Sequence, residues 1–89
     1  MTRQTVNIVN RLGLHARPSA QLVSVATKFT SEVFLTKDGL RINGKSIMGV
    51  MMLAAEMGSE ILIEVDGEDE QEALAAIVRV IESGFGEET

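Results

Sequence analysis

The chain has 89 residues, of which 45% are hydrophobic, so it can bury one core but not two, and we expect a single domain over residues 1–89. It has no cysteine, which excludes disulfides and thiolate metal sites, and its one histidine offers too few ligands for zinc, so we predict no metal and no cofactor. The net charge of −5 disfavours nucleic acid as a partner, because phosphate backbones select basic surfaces. We find no stretch apolar enough for membrane insertion and no signal peptide, so we expect a cytoplasmic protein.

Hydrophobic spacing and turn residues predict seven elements in the order β-α-β-β-α-β-α. Val6 and Ile8 alternate with polar neighbours, which is typical of a half-buried strand. Ser46 is a predicted helix N-cap, and Asp69 is another, with Glu72 completing a capping box. The predicted ranges are a strand at 5–10, a helix at 16–29, strands at 32–36 and 40–42, a helix at 47–55, a strand at 60–65 and a last helix between 69 and 84. Strands sharing one apolar face, together with amphipathic helices, predict an α+β sandwich with the helices on one side of a single sheet.

His15 lies between the first strand and the first helix, with Arg17 two residues later. A helix start presents unpaired backbone N–H groups and the positive end of the helix dipole, and an arginine adds donors for phosphate oxygens. The same dipole disfavours imidazolium, so we expect a mostly neutral ring whose lone pair can attack phosphorus. The residues alone leave two interpretations open: a phosphoryl site, or a histidine that only caps the helix, which is the commoner role for a lone histidine.

A run of methionines follows Ser46 at helical spacing, and such a run can either fill a core or form an adaptable docking surface. The predicted helix is too short to bury all of them. We expect Met48 and Met51 to be exposed docking residues, and Met52 and Leu53 to belong to the core.

The segment Asn10-Arg-Leu-Gly-Leu-His-Ala-Arg-Pro-Ser-Ala20 resembles the active-site signature of the HPr family, the histidine-containing phosphocarriers of the bacterial phosphoenolpyruvate:sugar phosphotransferase system. The segment Lys45-Ser-Ile-Met-Gly-Val-Met-Met-Leu53 resembles the second signature of that family, around a regulatory serine. The resemblance implies an open-faced β-sandwich, in which three helices cover one side of a four-stranded antiparallel sheet. It also implies a phosphoryl carrier rather than an enzyme, and we expect a monomer.

By this resemblance, His15 accepts a phosphoryl group on Nδ1 from phosphorylated Enzyme I and passes it to the Enzyme IIA components of sugar permeases. Arg17 would stabilise the phosphoryl group, the amides of Ala16 and Arg17 would bind its oxygens, and Pro18 would fix the helix start. Ser46 would be phosphorylated by the HPr kinase/phosphorylase, which implies a role in carbon catabolite regulation. The docking residues that the resemblance implies are Ala20, Ile47, Met48 and Met51.

Alternatives remain within the family and outside it. Ser24 and Thr27 stand where many family members carry lysines, and the ending Glu82-Ser-Gly-Phe-Gly-Glu-Glu88 resembles that of NPr, the paralogue of the nitrogen-related branch. An NPr-type regulatory relay that is not coupled to sugar uptake is therefore one alternative. From other classes, a ligand-sensing βαββαβ domain would bind a small metabolite without depending on His15, and an interaction module that has lost transfer activity would not need the intact set at residues 15–18.

Overall fold

A computed structural model describes residues 1–88, with four strands and three helices in the predicted order. The strands form one antiparallel sheet in the order β1-β4-β2-β3, and the helices pack on it to give the predicted open-faced α+β sandwich. Within residues 1–88, none of the helices combines the length and the apolar character needed to cross a bilayer. The elements are β1 (Thr2–Asn7), α1 (Ala16–Ala26), β2 (Glu32–Lys37), β3 (Leu40–Asn43), α2 (Ile47–Met52), β4 (Glu60–Asp66) and α3 (Glu70–Glu82), followed by a 3-10 turn at Gly84–Gly86.

The core lies between the sheet and the helices, because alternate strand residues point to the same face. In β4, Ile61 and Ile63 are fully buried; Ile61 pairs with Val6 of β1, and Ile63 pairs with Leu35 of β2. The helices close the core from above with buried aliphatic side chains, among them Leu22 and Ala26 of α1, Val50 of α2, and Leu74, Ile77 and Ile81 of α3.

The first strand lies three residues earlier than predicted, at 2–7 rather than 5–10. Beyond it, the buried side chain of Asn10 donates from Nδ2 to the carbonyl oxygen of Gly13 at 2.8 Å, which turns the chain out of the sheet. Val6 and Ile8 are nevertheless both buried, as their alternation predicts.

Helices α1 and α2 each end three residues before the predicted boundary. After α1, the amides of Lys28 and Phe29 donate to carbonyls only three residues earlier, so the α-helical pattern has ended. After α2, Ala54 adopts the left-handed conformation with φ of 50°, which stops the helix.

The capping box predicted with Asp69 and Glu72 is wrong, because the Asp69 side chain forms no capping bond with α3. Its carboxylate instead accepts from the backbone N–H groups of Thr30 at 2.9 Å and Ser31 at 3.0 Å, and from the Ser31 hydroxyl. The Ser31 hydroxyl and the Thr30 amide together lower the pKa of Asp69 to about 2. Asp69 therefore clamps the start of α3 to the turn that precedes β2.

Candidate functional site

The loop between β1 and α1 is held against the segment that follows α2. Gly13 has a φ of 69°, and a side-chain carbon there would lie 2.3 Å from the Ala55 carbonyl oxygen, so this position requires glycine. The same carbonyl oxygen accepts from the Leu14 amide at 2.9 Å, and the Leu14 side chain is buried. These contacts fix the backbone immediately before His15.

His15 is the N-cap residue of α1 through its backbone, since its carbonyl accepts from the Ser19 amide at 3.0 Å. Its imidazole makes no capping bond, so the side chain is free for another role. The amides of Ala16 and Arg17 have no acceptor within residues 1–88, and Pro18 lies in the first turn, as predicted, where its missing N–H leaves no further donor unpaired. Two unpaired N–H groups thus lie at the positive end of α1, beside the histidine.

The imidazole instead bonds to a residue that the sequence analysis did not identify, Glu87. Nε2 of His15 lies 3.0 Å from each carboxylate oxygen of Glu87, and Nδ2 of Asn10 donates to the same carboxylate at 3.1 Å. The His15 side chain is 38% exposed and that of Glu87 is 15% exposed, so the pair lies at the rim of the core. The hydrogen bond from His15 lowers the pKa of Glu87, and the bond from Asn10 acts in the same direction.

This pairing selects one ring nitrogen. An ionised carboxylate can only accept a hydrogen bond, so the ring nitrogen that faces Glu87 must be a donor. Nε2 therefore carries the hydrogen, and Nδ1 of the neutral ring carries the lone pair.

Glu87 reaches the site because the chain reverses after α3. Gly84, Phe85 and Gly86 all have φ between 59° and 73°, and the Phe85 side chain is buried, which anchors this reversal. The Arg11 amide then donates to the Glu88 carbonyl at 2.9 Å, which attaches the segment after α3 to the loop between β1 and α1. Glu87 stands 72 residues from His15, and no local sequence pattern indicates the contact.

Arg17 is exposed and forms no ion pair within the part of the chain that the structure describes. It lines a surface cavity with Leu12 and Glu87, the residue that bonds to the His15 ring. Over residues 1–88, no group of three acidic or histidine side chains is arranged to hold a metal ion.

Ser46 caps α2, as predicted: its Oγ accepts from the Gly49 amide at 3.1 Å. The side chain is half-buried, and α2 packs against α1. Lys45, the residue before it, donates from Nζ to the Phe29 carbonyl at 2.8 Å. Lys45 is therefore bound to the turn that follows α1 rather than free at the surface.

We call Ile47, Met48, Met51 and Met52 the methionine face of α2. Met48 is 76% exposed and Met51 is 42% exposed, which confirms their predicted exposure. The prediction that Met52 is buried is wrong, since this side chain is 64% exposed, whereas Leu53 is buried as expected. Only the side of α2 that carries Val50 faces the core, and Met52, four residues after Met48, lies on the opposite side. Ile47 is also exposed, and so is Ala20 on α1.

Residues 2–83 match the family model described as "PTS HPr component phosphorylation site". The chain belongs to the HPr family. It is 52% identical over 87 residues to the phosphocarrier protein HPr of Neisseria meningitidis serogroup A, covering 98% of each chain. It is 48% identical over 82 residues to the HPr-like protein Crh of Bacillus subtilis, covering 92% of this chain and 96% of the relative. The crystal structure of HPr from Thermoanaerobacter tengcongensis superposes with a TM-score of 0.95, at 46% identity and with full coverage of both chains.

Membership of the HPr family confirms the predicted class: a phosphocarrier of the phosphotransferase system and not a catalyst. The family implies partners from that system, such as Enzyme I and Enzyme IIA. A second HPr structure from T. tengcongensis is described as a dimer, and it matches this chain with a TM-score of 0.79 at 46% identity, covering 98% of this chain and 100% of that one. That this chain is a monomer therefore stays a prediction.

Proposed function

We propose that His15 accepts a phosphoryl group on Nδ1 from phosphorylated Enzyme I and passes it to an Enzyme IIA component. The observation that carries this proposal is the bond between Nε2 and Glu87, because it leaves Nδ1 as the nitrogen with the lone pair. The unpaired amides of Ala16 and Arg17 and the free Arg17 guanidinium support it, as donors for the three oxygens of the incoming group.

This geometry supports the following transfer step. The Nδ1 lone pair forms a bond to phosphorus while the bond between phosphorus and Enzyme I breaks, and its electron pair stays with Enzyme I. The His15 ring then carries hydrogen on Nε2 and phosphorus on Nδ1, so it gains a formal positive charge. Glu87 lies beside this charge and stabilises it.

Onward transfer requires that the phosphoryl group is not held too strongly. His15 is partly exposed, and its anion donors are two amides and one exposed arginine rather than a buried cluster. Solvent screens such contacts, which keeps the group transferable to an Enzyme IIA. Pro18 contributes by fixing the start of the helix that carries these amides.

The test is phosphorylation of His15→Ala by phosphoenolpyruvate and Enzyme I, with Ser24→Ala on the exposed side of α1 as a control for surface substitution. We expect no acid-labile phosphate on the His15 variant, normal labelling of the control, and a normal melting temperature for both. Acid-labile phosphate that persists on His15→Ala would contradict the proposal. A ligand-sensing domain, the alternative from another class, predicts binding of a small metabolite with no dependence on His15.

We further propose that Ser46 is the site at which an HPr kinase/phosphorylase regulates docking. The N-cap position tolerates phosphate, because the helix dipole favours negative charge there. The added group would bring roughly two negative charges next to the exposed apolar side chains of Ile47, Met48 and Met51. These side chains, with Ala20 of α1, form the proposed docking surface for Enzyme I and Enzyme IIA.

A matched pair of substitutions separates charge from capping at Ser46. Aspartate and asparagine are both good N-caps, so Ser46→Asp and Ser46→Asn differ mainly in charge. We expect slower phosphorylation of His15 in Ser46→Asp and a rate close to wild type in Ser46→Asn. Equal rates for the two variants would rule out electrostatic control at this position.

A further inference from the structure

We propose that the methionines of α2 are a site of reversible oxidation, and that their conversion to methionine sulfoxide weakens the docking of transfer partners. This inference rests on the proposed function, because oxidation of this surface affects transfer only if partners dock there.

Three thioethers lie together on the solvent side of a single helix. Met48 is 76% exposed, Met52 is 64% exposed and Met51 is 42% exposed. Met51 and Met52 lie three and four residues after Met48, so each of them is a neighbour of Met48 on the surface of α2. Methionine is more often used to fill cores, and a cluster that is placed in solvent is accessible to small oxidants.

These three side chains carry three of the five sulfur atoms in the sequence. The sequence has five methionines and no cysteine, so no thiol competes for an oxidant. Met1 and Met57, at 57% and 56% exposure, are outside α2. They serve as internal controls, since a hydroperoxide reaches them as well but their oxidation leaves the methionine face unchanged.

The chemistry needs a hydroperoxide as oxidant and a thiol-dependent methionine sulfoxide reductase for reversal. A sulfur lone pair attacks one oxygen of hydrogen peroxide, the S–O bond forms, the O–O bond breaks, and the second oxygen leaves as water. Sulfur loses two electrons and the peroxide gains them. In the reverse direction, two thiols reduce the sulfoxide, its oxygen leaves as water, and the thiols end as a disulfide.

Oxidation changes the docking surface without changing what holds the helix in place. A sulfoxide is polar, and burying it under a partner without a hydrogen bond is unfavourable. The contacts that attach α2 to the core come from Val50 and Leu53, which contain no sulfur and are fully or nearly fully buried. We therefore expect a loss of docking with the fold retained.

The experiment treats the purified protein with hydrogen peroxide, removes the peroxide, and then measures the rate at which Enzyme I and phosphoenolpyruvate phosphorylate His15. Mass spectrometry identifies the oxidised methionines. The matched variant carries Met48→Leu, Met51→Leu and Met52→Leu together, which keeps the surface apolar but removes its sulfur. Both proteins retain Met1 and Met57.

We expect peroxide to slow wild type about fivefold or more, as for loss of one important interface contact, and to leave the leucine variant within about twofold. Methionine sulfoxide reductase should restore the wild-type rate. An unchanged wild-type rate with all three sulfurs oxidised would overturn the inference, as would an equal loss in the leucine variant or a parallel fall in melting temperature. Failure of the untreated protein to accept phosphate on His15 would instead refute the proposed function, and this inference with it.

Discussion

Two carboxylates hold distant parts of this chain together, and their partners give them different roles. Asp69 accepts from two backbone amides and a serine hydroxyl in the turn that precedes β2, whereas Glu87 accepts from a histidine ring and an asparagine beside α1. Both carboxyl groups have lowered pKa values. The donors to Asp69 have no chemistry of their own at neutral pH, but the imidazole can gain a proton or a phosphoryl group. The same type of contact is therefore structural at Asp69 and belongs to the proposed transfer site at Glu87.

The largest effect that separates these roles is expected from Glu87→Gln. Glutamine can still accept from Nε2 of His15 but lacks the charge that we propose stabilises the phosphorylated ring. We expect the rate of His15 phosphorylation to fall about three- to tenfold, as for a charge-assisted bond at a partly exposed site, with little change in melting temperature. Stopped-flow transfer from phosphorylated Enzyme I measures the rate.

The matched control for Glu87→Gln is Glu88→Gln. Glu88 pairs with Arg11 at 3.2 Å, and its side chain is 74% exposed. The substitution Glu88→Gln therefore removes the same charge from the neighbouring position without touching the bond to His15. An equal loss of rate in both variants would show that Glu87 acts through the general field of the chain end and not through its bond to His15.

The reverse result is expected at the other carboxylate. Asp69→Asn places an amide N–H where a carboxylate oxygen accepts from the turn at 30–31, so the clamp is weakened. We expect the melting temperature to fall by several degrees and the rate of His15 phosphorylation to stay close to wild type. Asp66→Asn is the control, since it removes the same charge outside the clamp. A transfer rate that falls with the clamp would contradict the separation of the two roles.

Acid titration tests the same clamp. The pKa of Asp69 lies at about 2 in the folded chain, below its ordinary value of 3.8, so its ionised form stabilises the fold above that ordinary value. This stabilisation is lost as the pH falls from about 4 towards 2. We expect the melting temperature of wild type to fall over this window more steeply than that of Asp69→Asn, as measured by circular dichroism. Parallel curves for the two proteins would assign the acid sensitivity to other groups.

The smallest expected effect concerns backbone strain, which is found near the proposed transfer site and not at the Asp69 clamp. Ala54 has a left-handed φ of 50°, and the carbonyl of the next residue, Ala55, accepts a hydrogen bond from the Leu14 amide. We expect Ala54→Gly to raise the free energy of unfolding by about 0.5–1 kcal/mol, because glycine adopts this conformation without strain. Ala75→Gly, at an exposed position inside α3, should lower it by about as much. Chemical denaturation measures the free energy of unfolding of both variants. Equal destabilisation of the two would argue against strain at Ala54.

The two carboxylates also mark where sequence reasoning succeeds and where it ends. Local signals predicted the fold class, the cap at Ser46 and the helix start at His15, because alternation, capping and turn chemistry act over a few residues. Glu87 and Asp69 act across 72 and 39 residues. The pattern around Asp69 even indicates a capping box, yet donors from another part of the chain occupy its carboxylate. The burial predicted for Met52 failed for a related reason, since the sequence does not reveal how little of α2 faces the core.

We propose that Glu87 holds Nε2 of His15 and leaves Nδ1 to carry the phosphoryl group. The most direct measurement is nitrogen NMR of the protein with ¹⁵N-labelled histidine, phosphorylated by Enzyme I, in which coupling to phosphorus identifies the bonded nitrogen. We expect phosphorus on Nδ1 of His15 and hydrogen on Nε2. Phosphorus on Nε2 would contradict the proposal, because the Glu87 carboxylate lies 3.0 Å from that atom.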